Sequence, residues 1–274
     1  MPAPASPFDS LTRRLAAYGY LAPLVTGRRV VEVGVGGAAA GASASRLLEL
    51  GAESVLGVDA DAGAVSRARR ETQGDGRGSR LEFRQLDRRL LDSTGGFDVV
   101  VVPDGEKVLR AGANPGAADL RRLCGPRGRL VFLVASADRP GASGGLGYYD
   151  VHEACGRLFP RVRMFGVTPF AAFSIAEFSE TIPGLRIDGA LVEEGGEQPS
   201  HYLAVAGPEG DDDTIELGYA LMQIPPDGEA ADAGEAAVPR EAALGDADLR
   251  RRLAEAEGKS EGLLRVSRAQ TEEI

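Results

Sequence analysis

Nowhere in its 274 residues does this chain carry an apolar run near the roughly 18 residues that a membrane-crossing helix needs, so no span is expected and the membrane is not an expected partner. Cysteine is scarce. Cys124 and Cys155 are the only two, in helix-like contexts and without metal-ligand spacing, and they read as reduced, buried thiols rather than as a disulfide framework. Histidine is equally scarce, with only His152 and His201, and no cluster of metal-ligating residues can be assembled; no metal is expected. Lysine occurs only at positions 107 and 259, and no basic patch suited to phosphates is found, which disfavours nucleic acid as a partner. Arginine in place of lysine, with abundant alanine and glycine, suggests a GC-rich bacterial genome. Residues 1–7 lack the basic start and apolar core of a signal peptide, and with the scarce cysteine this leads to the expectation of a cytoplasmic protein.

What charge there is sits unevenly. The net charge is −10, and residues 211–274 hold 16 acids and 7 bases, against 25 and 24 in the rest. The body is near neutral and the tail is acidic. Three regions follow: a folded domain over 1–207; an acidic linker over 208–245, rich in Ala, Gly and Pro, with too little apolar surface to offset ordering and so expected to be disordered; and a helical segment over 246–274. In that last segment Leu249, Leu253, Ala256, Ser260, Leu263, Ser267, Gln270 and Ile274 alternate at four and three, a diluted coiled-coil seam through which two chains, or a chain and a partner, could pair weakly. Gly258 and Gly262 weaken it.

The body begins with a helix signal, Ser6-Pro7-Phe8-Asp9, followed by Phe8, Leu11, Leu15 and Tyr18 at helical spacing. Then comes the most informative stretch. Residues 30–35 are β-branched and apolar, the composition of a strand buried on both faces, and run directly into small residues and a helical pattern from Ala44. Strand, tight turn and helix bring bare backbone and a helix N-terminus close to a nucleotide-like ligand. Gly34 and Gly36 lack the Cβ that would hinder that approach. Glu32 lies inside the strand, and a buried carboxylate needs a donor to meet. The ammonium of an amino-acid-like ligand would be one.

Four more strand-like runs follow in alternation with helices: residues 54–59, 81–87, 97–104 and 128–134. The first three end in Asp59, Asp87 and Asp104. This order, with Glu32-x-Gly34-x-Gly36 at its head and Gly125-Pro126-Arg127 before the fifth run, resembles the class I methyltransferases that use S-adenosyl-L-methionine. The third glycine of the family's first motif falls at Ala38, with Gly37 one residue earlier. The resemblance covers residues 28–136 well and 137–207 loosely. It implies an α/β fold, a doubly wound and mostly parallel sheet, with a later strand at 201–206 running antiparallel near the edge. It implies S-adenosyl-L-methionine as cofactor, held by Glu32, Gly34, Gly36 and Gly37 at the first turn, by Asp59 with Ala60 at the ribose, and by Leu86 with Asp87 at the adenine.

The acceptor implied is a small molecule or a protein side chain. Asp104 would lie near the transferred methyl, although Val102-Pro103-Asp104-Gly105 is not the motif of amino-group methylation on nucleobases or glutamine. His152, after the glycine-rich loop at 138–147, is a candidate base, and His201 reads as a structural residue. Two other functions compete. One is a degenerate or cofactor-sensing domain that works as an interaction module through its tail. The other is a nicotinamide-dependent oxidoreductase, which Glu32 opposes.

Overall fold

A computed structural model describes residues 10–36, 41–73, 78–139, 142, 144–169, 198–209, 217, 218 and 220–222. The chain divides into two compact units, Met1–Gly228 and Glu229–Ile274, and every described residue lies in the first. The helical segment expected over 246–274 and most of the expected linker therefore fall outside the described residues.

The β-branched runs become strands. They are β1 (Arg29–Val33), β2 (Ser54–Asp59), β3 (Leu81–Gln85), β4 (Phe97–Val102) and β5 (Cys124–Ala135), joined later by β6 (Arg161–Val167) and β7 (His201–Gly207). The sheet order is β3-β2-β1-β4-β5-β7-β6. Pairs from β3 through β5 are parallel, and β7 runs antiparallel to both β5 and β6. This is the arrangement that the resemblance implies.

The two central strands, β1 and β4, explain the patterning. Val30 and Val99 pack on one face with Val55, Val131 and Leu203, while Val31 and Val100 pack on the other with Leu130 and Phe132. Both faces are covered, so the strands read as continuous apolar runs rather than as alternation. The first face is covered by α1 (Ser10–Tyr20), α2 (Ala22–Val25), α3 (Ala42–Glu49) and α4 (Ala62–Glu71). The second is covered by α5 (Arg88–Ser93), α6 (Gly105–Leu109), α7 (Ala117–Arg121) and α8 (Tyr148–Gly156). Each fully buried valine or leucine contributes about 1.5–3 kcal/mol relative to exposure, so a charged group inside this core needs its own explanation.

Three sequence expectations change. Cys124 opens β5 rather than sitting in a helix; it and Cys155 on α8 are buried free thiols whose pKa burial pushes up to about 12. The first helix is described from Ser10 onward, so Ser6 and Pro7 lie outside the described residues. The folded body also runs past residue 207. Leu217 is buried in the α1–α4 face of the core, the Tyr20 hydroxyl donates to the Gly218 carbonyl at 2.7 Å, and Met222 lies against Gly19. Composition pointed to a linker here because one leucine among many acids leaves no periodic signal.

Leu217→Ala is accordingly expected to cost about 2–4 kcal/mol, as for other buried leucines, in chemical denaturation. A chain ending at Met222 should melt with the full chain, whereas one ending at Gly207 should melt clearly lower.

Candidate ligand site at the carboxyl edge of the sheet

Glu32 is the fourth residue of β1, paired with Gly57 of β2 and Val101 of β4, and is fully buried. Its Oε1 accepts a 2.6 Å hydrogen bond from the Tyr18 hydroxyl and lies 3.7 Å from Arg14 Nη1. Its Oε2 has no partner among the described residues. Burial pushes the Glu32 carboxyl above its ordinary range, while Arg14, then the Ser43 and Tyr18 hydroxyls, oppose that shift. Burial also raises Tyr18 well above the usual phenol value, with the Glu32 charge adding to it. Tyr18 therefore stays protonated and donates.

Arg14 Nη1 also reaches the Gly34 carbonyl and Ser43 Oγ, each at 3.4 Å. Arg14 and Tyr18 are four apart on α1, one above the other on the same helical face. That spacing, two polar tips reaching a buried acid, was the signal available in the sequence for their role.

Beyond Glu32 the strand ends in a turn. Gly34 takes the left-handed conformation at φ 85°, its N–H bonds the Val58 carbonyl at 2.7 Å, and the side where a Cβ would stand is open. Gly36 is not left-handed; its constraint is steric, since a Cβ there would come within 2.9 Å of both Asp59 Oδ2 and Ala64 Cβ. Asp59 at the end of β2 accepts from Gly36 N–H at 2.8 Å and from Asp61 N–H at 2.9 Å. The two strand ends are thus tied together by one carboxylate, whose remaining lone pairs can still accept hydroxyls. Gly37 lies outside the described residues. Ala60 is exposed and its carbonyl accepts from Gln85 Nε2 at 3.0 Å; Leu86 is buried and its N–H bonds the Asp59 carbonyl at 2.7 Å. Asp87 is exposed and caps α5, accepting from Leu90 N–H at 2.7 Å.

The candidates for chemistry separate. Asp104 sits after β4, paired with Lys107 at 2.8 Å, and its charge acts on both Tyr18 and His201. His152 is exposed on α8 with its ring stacked on Tyr148, and no contact ties it to Glu32 or Asp104. His201 is the histidine that shares an edge with them. It opens β7 opposite Ala135, and its Nε2 accepts from Arg13 Nη1 at 3.2 Å. Close by, Asp138 accepts from the Tyr202 hydroxyl at 2.6 Å and the Tyr148 N–H at 2.8 Å, and these bonds hold its carboxyl below the ordinary range. They anchor the start of the glycine-rich loop at 138–147. A separate surface cleft of about 460 Å³ lies beside α8, lined by Leu109, Arg110, Leu146, Asp150, Glu153 and Arg157; none of the site residues above lines it.

No family model matches the chain, and no curated protein does. Solved structures similar to it include magnesium protoporphyrin IX methyltransferase from Synechocystis PCC 6803, with bound SAH, at 17% identity over 72% of this chain and 82% of that one, with a TM-score of 0.45. TehB from Haemophilus influenzae is similar at 12% identity over 70% and 62%, with a TM-score of 0.45. The cyclase SpnF is similar at 20% identity over 56% and 59%, with a TM-score of 0.43. The chain has the class I methyltransferase fold. The strand order and the antiparallel β7 carry that assignment, and a shared fold does not by itself give an activity.

Two substitutions probe the turn without any ligand. Asp59→Ala leaves the Gly36 N–H without its acceptor and should cost about 1–3 kcal/mol in denaturant unfolding. Gly34→Ala meets no atoms but must hold a left-handed backbone, and should cost about 1–2 kcal/mol.

Proposed function

We propose that the carboxyl edge of this sheet binds S-adenosyl-L-methionine and transfers its methyl group to a small molecule or a protein side chain. The observation that carries the reading is Glu32 Oε2, a carboxylate oxygen inside the core with no hydrogen-bond partner among the described residues, two residues before an open left-handed glycine. A buried charge without a donor is costly, and an incoming ammonium supplies the donor. Gly34 leaves room for the ligand backbone-to-backbone, and Asp59 can accept ribose hydroxyls while keeping its two N–H bonds. In this reading Leu86 and Asp87 hold the adenine.

The cofactor, when bound, supplies an electrophilic methyl on a sulfonium. The chain's own residues bind, orient and exclude water. α1 covers the edge, with Tyr18 and Arg14 fixing Glu32 in place. Asp104 lies after β4 on the same edge. Position and desolvation account for most of the acceleration in such a site.

Equilibrium binding separates this from a nicotinamide enzyme: the chain should bind S-adenosylmethionine and not NADH. Asp59→Ala should weaken binding by about 1.5–3 kcal/mol, the range for hydrogen bonds to a charged group. NADH bound in preference would overturn the reading, and unchanged binding by Asp59→Ala would move the ribose elsewhere. Product formation over a panel of hydroxyl, amine and thiol acceptors then distinguishes an enzyme from an interaction module that only binds cofactor.

Glu32 also sets a pH dependence. Its carboxyl is raised in the folded protein, so the fold holds that proton more tightly than the unfolded chain does. Its contribution to stability is full below the ordinary carboxylate range and is lost as pH rises through the raised folded value. Glu32→Gln should remove this decline, seen as wild-type and variant stabilities diverging in the variant's favour as pH rises.

A further inference from the structure

We propose that His201 is the proton-accepting group for methyl transfer and that the acceptor carries an anionic group, bound by Arg13 and Arg139 beside it. The proposal rests on the methyltransferase reading.

Place comes first. β7 runs antiparallel, so its first residue stands at the carboxyl end of β5: His201 pairs with Ala135 and, on the other side, with Val167 of β6. Asp104 follows β4 on that same edge, and Arg13 reaches it from α1. Four separate elements meet at one imidazole.

Its proton is fixed by its partners. A guanidinium only donates, so the 3.2 Å contact from Arg13 Nη1 makes Nε2 an acceptor and puts the ring proton on Nδ1. Nδ1 donates to Ser200 Oγ at 3.1 Å, and Ser200 Oγ donates onward to the Val167 carbonyl at 3.0 Å. A base whose second nitrogen is pinned in this way presents one lone pair in one direction, the arrangement found wherever a third group orients a catalytic histidine.

The charges around it decide when that lone pair is basic. Arg13 from α1 contacts His201, and the charge of Arg139 after β5 acts on it in the same sense, opposed by Asp104 after β4. Burial, then Arg13 and Arg139, hold the imidazole down to about 4, so it is neutral at physiological pH and capped by Arg13. An anion on the acceptor changes both facts at once. It draws the Arg13 guanidinium off Nε2 and cancels its charge, which exposes the lone pair and raises its basicity. The acceptor thereby switches on the base that deprotonates it, and a neutral compound does not.

The step balances. The acceptor O–H proton passes to Nε2, and the freed oxygen electron pair forms the new bond to the methyl carbon. The electrons of the broken carbon–sulfur bond return to sulfur, leaving a neutral thioether. His152, exposed and stacked on Tyr148 on α8, has no place in this geometry.

The chain has only two histidines, so nitrogen-15 NMR of the full chain reads His201 directly. Expected is the Nδ1–H tautomer, with benzoate at tens of millimolar raising the His201 midpoint by about one unit, a tenfold change in proton affinity, and benzyl alcohol leaving it still. Arg13→Gln should raise the midpoint by itself and abolish the benzoate response, while Arg13→Lys should retain part of it. An Nε2–H tautomer, or a midpoint that ignores benzoate, overturns the proposal. S-adenosylhomocysteine added to the same sample separates the two levels. If it shifts the Gly34 and Gly36 amides while benzoate is silent, only the acceptor proposal fails; if it shifts neither amide, the methyltransferase reading fails and takes this one with it.

Discussion

The buried carboxylate of Glu32 is the constraint around which the edge of this sheet is built. A lone charge in a sheet interior is expensive, and here the compensation is partial. Tyr18 and Arg14 reach one oxygen, and the other has no hydrogen-bond partner among the described residues. That partial satisfaction explains why α1 lies where it does. Its polar tips answer Glu32, and the Tyr18 ring joins the core face that includes Val30 of β1. Gly218 and Met222 in turn lie against α1, the Gly218 carbonyl accepting a hydrogen bond from Tyr20.

The strand ends are held to one another by the same economy of groups. Asp59 ties Gly36 of the first turn to the end of β2, and Leu86 N–H ties β3's exit to the Asp59 carbonyl. Asp87 then caps the helix that follows. Acids at successive strand ends thus serve the fold before any ligand arrives, and their spare lone pairs are what a ligand would use. The antiparallel β7 places His201 on the edge where β4 and β5 end, bringing a second cluster of charge next to the first.

Most of the fold was legible in the sequence because buried parallel strands leave an unmistakable mark. The apolar runs around Val30, Val55 and Val99 have no alternation, and helical patterns separate them. Glu32, Gly34, Gly36 and Asp59 were legible for the same reason: each interrupts or ends such a run. What the sequence hid lies in long-range juxtaposition. Arg13 and His201 are 188 residues apart and meet only because β7 reverses direction. His152 looked the better base from its place after a glycine-rich loop, yet α8 turns it to solvent. Leu217 was hidden by its acidic neighbours, since a single buried side chain carries no periodicity.

The central claim is that Glu32 awaits the ammonium of an amino-acid-bearing nucleoside. Titration calorimetry with S-adenosylhomocysteine and with 5′-methylthioadenosine, which lacks the amino-acid end, tests it most directly on wild type and Glu32→Gln. The expected result is that wild type binds S-adenosylhomocysteine more tightly by about 1.5–3 kcal/mol, the range for a charged hydrogen bond, and that Glu32→Gln loses most of this preference while binding methylthioadenosine as before. Equal affinity of wild type for the two ligands, or a preference that survives in Glu32→Gln, would contradict it.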